Sequence, residues 1–205
     1  MRWPGPAIHS VVFSLCGGIR VMAFDAFFQL FFNGTPVNGE SIDKTFGGSI
    51  ELSEFSFGAE NSVSISSATG GAGAGKATFK EFSIKKLTDT SSVSLFTNLC
   101  QGAHYTARIS IRKSGAAAGA SGAVYLSFEF DVLMVKSIDW SGSSGDDVPT
   151  ESVVFMYGAM SLTYQRQLSG GQLASDTYSN AWSAQTNSTT TLSVPAWTAK
   201  APSQT

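Results

Sequence analysis

Residues Gly70 to Lys76 read Gly-Gly-Ala-Gly-Ala-Gly-Lys, and the frame Gly-x-x-x-x-Gly-Lys is that of a loop whose backbone amides cradle phosphate. The frame fails at its next position. Ala77 stands where a hydroxyl must ligate Mg²⁺, and Thr78 to Ile84 reads as a strand where a phosphate loop needs a helix. A Gly/Ala loop that ends in Gly-Lys is the better account. The histidines are His9 and His104, so a catalytic triad or a metal cluster would have to be built around His104 alone. His104 follows Gly102 at a helix exit, where an imidazole can bond the last helical carbonyls. Asp146 and Asp147 sit among Gly and Ser and read as a solvated turn, not a paired-carboxylate site. Cys100 falls in an apolar helical pattern and reads as a small buried hydrophobe, with no disulfide to Cys16 expected. These residues predict no catalytic residue, no metal site and no cofactor.

Composition points the same way. Charged residues make up 14% of 205 positions and the formal net charge is -2, so the chain has no basic field to draw in nucleic acid or an acidic membrane. The 42% hydrophobic content, with fifteen Phe, then implies either a surface largely covered by partners or a neutral, Ser/Gly-rich soluble domain. No run approaches the roughly 20 apolar residues of a membrane span. One core is the default for this length. Residues 1–21 are read as a non-native or disordered leader ahead of a natural start at Met22. The apolar run Val11 to Leu15 is short, preceded by Pro4, Pro6 and His9 and followed by Arg20, which argues against a classical signal peptide.

The elements that remain are strands. Val124, Leu126, Phe128, Phe130, Val132 and Met134 alternate with Tyr125, Ser127, Glu129 and Asp131, the period of a long amphipathic strand. Phe24, Ala26, Phe28, Leu30 and Phe32 repeat that period, as do Ile109 and Ile111. Residues 151–165 read as one strand with a bulge near Gly158. Val154 and Met156 make its second face apolar, so they are predicted at a subunit interface. Asp89 to Gly102 breaks the period: Val93, Phe96, Leu99 and Cys100, with Leu95 beside them, predict a single helix over about residues 91–101. Tracts 58–75, 114–122 and 141–149 read as loops, the first too long for a tight hairpin, and residues 188–205 as a flexible Ser/Thr-rich tail. The domain is thus expected over residues 22–187.

In order, Met22-Ala23-Phe24-Asp25-Ala26-Phe27, Gly39-Glu40-Ser41-Ile42-Asp43-Lys44-Thr45, Phe55-Ser56-Phe57-Gly58, Gly75-Lys76, Phe82-Ser83-Ile84-Lys85-Lys86, Gly102-Ala103-His104-Tyr105 and Ile109 to Gly115 form a series. That series, with Glu151, Tyr164 and Trp182, resembles the Hcp family, the haemolysin-coregulated tube proteins of bacterial type VI secretion systems. The resemblance implies a mainly β fold, a two-sheet β-barrel with one flanking helix, six copies of which form a ring. Rings would stack head-to-tail into an inner tube, with a contractile sheath, a spike protein and small effectors as partners. The protein would wait in the bacterial cytoplasm and then leave through the apparatus. It also assigns Ser56, outward between Phe55 and Phe57, to the lumen and cargo. The loop with Gly70, Gly71, Gly73, Gly75 and Lys76 becomes an arm between stacked rings. A monomeric or small-oligomer β-sandwich binding module is the competing reading.

Overall fold

The computed structural model describes residues 24–65, 72–113, 122–168 and 172–200. The expected leader, Cys16, Gly70 and Gly71 lie outside the described residues, as does most of the 114–122 tract. The strands are β1 (Phe24–Phe32), β2 (Thr35–Val37), β3 (Ile50–Glu51), β4 (Glu54–Ser56), β5 (Ala59–Ile65), β6 (Ala72–Phe79) and β7 (Phe82–Leu87). After the helix α1 (Thr90–Gln101) come β8 (His104–Lys113), β9 (Val124–Ser141), β10 (Thr150–Met156), β11 (Ala159–Gln167), β12 (Leu173–Ser183) and β13 (Ser188–Thr189).

The expected class holds: mainly β, two sheets and, among the described residues, one helix. The larger sheet curls around the core without closing as a ladder. β1 pairs β8, β8 pairs β9, β9 pairs β10, β10 pairs β7 and β7 pairs β4. The gap between β1 and β7 is stitched by one segment that changes partner. β3 pairs β1, the Leu52 N–H reaches the Ala26 carbonyl at 3.1 Å, the Ser53 N–H reaches that of Lys85 at 2.9 Å, and β4 pairs β7. Inside, the rings of Phe82 and Phe130 stack at 4.6 Å and Phe28 and Phe155 close on them; all four are fully buried. Such pairs add about 0.5–1.5 kcal/mol each beyond the area they bury.

Three expected elements differ. Residues 151–165 form two strands, because β10 pairs the second half of β9 and β11 the first. The kink lies in β9, where Val132 has φ 51, a conformation that β-branched residues rarely adopt, and faces Gly158. The register shift falls between Val154 and Phe155, not at Gly158. Second, the described part of the 58–75 tract is largely strand: β5 and β6 pair with each other as a separate antiparallel ribbon. Third, the strand read over Thr78 to Ile84 is cut at Lys80-Glu81, with β6 in the ribbon and β7 in the curled sheet.

β1 is buried on both faces. Ala26, Phe28 and Leu30 point into the core, while Phe27, Gln29 and Phe31 are covered from outside by Phe46 and Trp197. The tail read as flexible is therefore docked: β13 pairs β12, and the chain runs on across the outer wall to Lys200. An aromatic anchor, which Ser/Thr-rich composition hides, supplies the reason.

The core carries a pH signature. Burial raises the hydroxyls of Tyr105 and Tyr157 from 10.0 to about 12, although each also makes hydrogen bonds. Each folded value lies above the unfolded one, so the stability from these protonated phenols is whole below pH 10 and declines as pH rises towards 12. Alkaline titration of urea unfolding is expected to show a loss of up to about 2–3 kcal/mol per tyrosine across that window, reduced by one share in Tyr157→Phe.

Candidate functional site

The helix is placed by charge. Lys86 on β7 and Glu151 on β10 are adjacent across the ladder and both fully buried, with Nζ 2.7 Å from Oε1. Lys86 also donates to Asp89 Oδ1 at 2.7 Å and to the Leu87 carbonyl at 2.8 Å. Glu151 accepts from Ser92 Oγ at 2.9 Å and from Trp140 Nε1 at 2.8 Å. Asp89 caps α1 and forms a reciprocal capping box with Ser92, so the start of the helix is built into this network.

The inner face of α1 is consequently Ser91, Ser92, Leu95 and Asn98, with Leu99 half-buried against the core, while Val93, Phe96 and Cys100 of the apolar stripe are turned out. Val93 is 71% exposed, Phe96 half-exposed against Trp140, and Cys100 exposed. This corrects the reading of Cys100 as buried: buried ion partners, not apolar spacing, choose the face. His104 is exposed at the start of β8, and the helix end is closed without it. Gly102, at φ 65, and Ala103 donate their N–H groups to the Leu99 and Asn98 carbonyls.

An open cleft of about 760 Å³ holds Asp25, Glu40, Asp43, Glu51, Asp89 and Arg112. Its charges are engaged in structure. Arg112 bonds Asp43 at 2.5 Å and Asp25 at 3.1 Å and lies over the Phe27 ring. Ser41 donates to Glu51 at 2.7 Å. Burial raises the Asp43 carboxyl, but bonds from Arg112 and the Phe46 and Thr45 amides outweigh it and hold it below 3.8. Asp146 is exposed and accepts from the Ser143 amide and hydroxyl, a turn and nothing more. Among the described residues no group of three or more His, Cys, Asp and Glu is arranged to hold a metal ion.

The Gly-Lys of the phosphate-loop frame lies on β6. Pairing runs from Asn61–Ala77 to Val63–Ala74, so Gly75 and Lys76 together oppose Ser62 in a β-bulge. A Cβ at Gly75 would sit 2.5 Å from the Ser62 carbonyl oxygen, which is why glycine stands there. Gly73 lies in the same strand and Lys76 is exposed. The ribbon is rooted where Phe79 stacks on Tyr157 at 5.0 Å and Lys80 N–H bonds the Gly58 carbonyl at 2.8 Å. With seven residues in β5 it is roughly 20 Å long.

Two sheet faces carry exposed or half-buried side chains. Ser56, Ser83, Val154 and Ser137 are paired in register across β4, β7, β10 and β9, one row on one outer face. Ser56 and Val154, assigned to lumen and interface from the sequence, thus share a face, with Met156 exposed farther along β10. The second face was missed. Ile109, Phe128 and Leu162 are in register, as are Ile111, Leu126, Tyr164 and Tyr178. The core face therefore continues outward: Ile109 is fully buried, Leu162 is 42% and Tyr178 63% exposed. Alternation showed the stripe but not where the enclosing layer stops.

A family model described as "Type VI secretion system effector, Hcp" matches residues 30–164. Protein hcp1 of Pseudomonas aeruginosa is 32% identical over 113 residues, 55% of this chain and 68% of that protein. A solved type six secretion system protein is 28% identical with a TM-score of 0.72, over 82% of this chain and all of that one. Hcp1 of Salmonella typhimurium, at 22% identity and a TM-score of 0.63, covers the same shares and shares the fold. With the family model spanning most of the curled sheet, the chain belongs to the Hcp family, the tube proteins of type VI secretion.

Proposed function

We propose that the protein is a non-catalytic structural subunit of the type VI inner tube, six copies to a ring and rings stacked head-to-tail. It waits in the cytoplasm and leaves through the apparatus with small effectors in the lumen. The sheath and the spike are its other partners. The observation that carries this reading is the core face of β9, β11 and β12, which runs out to exposed Leu162, Tyr164 and Tyr178. Three exposed large apolar side chains on one face, with Asn180 opposite Leu162, suit an assembly surface with a polar element. The row Ser56, Ser83, Val154 and Ser137 is small and nearly neutral, a wall suited to cargo of varied chemistry, with Ser56 as the cargo contact and Val154 and Met156 towards a neighbour. The β5–β6 ribbon, with Gly73, Gly75 and Lys76, is the stacking arm.

Negative-stain electron microscopy of the chain at micromolar concentration is expected to show six-membered rings. Shortening the ribbon by removing residues 60–78 should leave single rings and abolish stacks. A monomer by native mass spectrometry at that concentration overturns the tube reading in favour of a binding module, and stacks of unchanged length remove the arm assignment.

A further inference from the structure

The family model's match ends at residue 164, and the chain runs on through β12 and β13 into a C-terminal segment. Thr190 N–H bonds the Ala181 carbonyl at 3.3 Å, and the chain then leaves the β12 edge and crosses the outer wall without joining a ladder. Leu192, Val194 and Trp197 are half-buried while Thr191, Ser193, Ala196 and Thr198 are exposed, so the segment lies down as an extended peptide. Its seat is shaped for it. Arg108, held by Glu129 through Nε at 2.9 Å and Nη2 at 2.5 Å, donates to the Val194 and Pro195 carbonyls at 3.3 and 3.5 Å. The Trp197 indole stands edge-on to Phe31, with ring centroids 5.8 Å apart. Lys200 N–H bonds the Gly47 carbonyl at 2.9 Å. A Cβ on Gly47 would lie 2.4 Å from the Lys200 carbonyl oxygen, and one on Gly48 3.1 Å from the Lys200 Cβ. Two adjacent glycines thus leave room for the tail's backbone.

The contact is also built to let go. Both Arg108 bonds to the tail are long, and the Trp197 indole N–H is buried without an acceptor. From Thr190 to Trp197 the released chain spans up to about 25 Å, the width of a small domain. We propose that Phe31, Gly47, Gly48 and Arg108 form a peptide-binding groove that each copy fills with its own residues 194–200, and that the same segment of a second copy can replace it. Exchange of that kind keeps every contact and changes only the donor, so it is nearly neutral in free energy where copies are packed. In a dilute chain the tethered tail wins, because its effective concentration is on the order of millimolar. The groove stands on this geometry alone; that copies lie side by side rests on the tube reading.

The test uses a fluorescent peptide of residues 190–205 and three full-length chains: wild type, Trp197→Ala and Lys200→Pro. Lys200→Pro removes one tail hydrogen bond at an exposed position and leaves the core untouched. Both variants weaken the resident tail, so both are expected to bind the peptide at least tenfold more tightly than wild type. Adding Arg108→Gln to Lys200→Pro should reverse the gain, and a peptide carrying Trp197→Ala should not bind. If folded Lys200→Pro binds no better than wild type, or the altered peptide binds equally well, the groove is no exchange site. Because the readout is peptide binding to the dispersed chain, failure of ring formation leaves it untouched.

Discussion

Glu151→Ala is expected to lower the free energy of unfolding by about 3–5 kcal/mol, the largest single-site effect in this fold. The substitution strips Lys86, fully buried on β7, of its ladder-paired counter-charge, and leaves a buried ammonium group with Asp89, the Leu87 carbonyl and Ser92 Oγ. It also removes the acceptor of Ser92 Oγ and Trp140 Nε1, so the start of α1 loses a fixed point. Urea unfolding followed by circular dichroism measures the loss, and a shift in Trp140 fluorescence reports it locally. The double variant Lys86→Met/Glu151→Leu should recover most of the loss, because two apolar groups of similar volume leave no charge unpaired. If Glu151→Ala shifts the unfolding free energy by less than about 1 kcal/mol, within the range of exposed ion pairs, the network does not anchor the helix.

Leu162→Asp is expected to abolish rings while the subunit stays folded. Leu162 is in register with Phe128 and fully buried Ile109, but it lies where the core is no longer roofed, so a carboxylate there is solvated in the monomer and desolvated on assembly. Analytical ultracentrifugation should find monomer at concentrations where the wild type is expected to form the proposed hexamer, with an unchanged circular dichroism spectrum. Met156→Asp is the companion variant, since Met156 is equally exposed on the other face. Were Met156→Asp to dissociate the ring and Leu162→Asp to spare it, the interface would belong to β10 and the flared face would need another partner.

Much of this fold can be read from residue order. Alternation located β8 and β9, because a strand half-buried on one side must repeat every second residue, and it located β1 as well, although that strand is buried on both faces. Asp89 or Thr90 at the start and Gly102 at the end marked the helix, because capping chemistry is local, and the structure takes Asp89 as the cap. The failed phosphate frame was legible for a related reason: Ala77 has no side-chain hydroxyl to offer Mg²⁺ in any fold. The family resemblance covered the remaining order of elements.

What only the tertiary structure decided is how faces meet across long separations. Spacing could not show that α1 turns Val93 and Phe96 outward, since the choice is made by Lys86 and Glu151, a pair joined through the β7–β10 ladder. Nor could composition show that a Ser/Thr-rich tail carries Trp197 back to Phe31, or that Gly47 is small for the sake of Lys200. Alternation marked Leu162 and Tyr164 as apolar, while the edge of the enclosed core made them a surface. Periodicity and capping are written in neighbouring residues; burial is set by whichever distant segment lies on top, and that is a property of the folded chain alone.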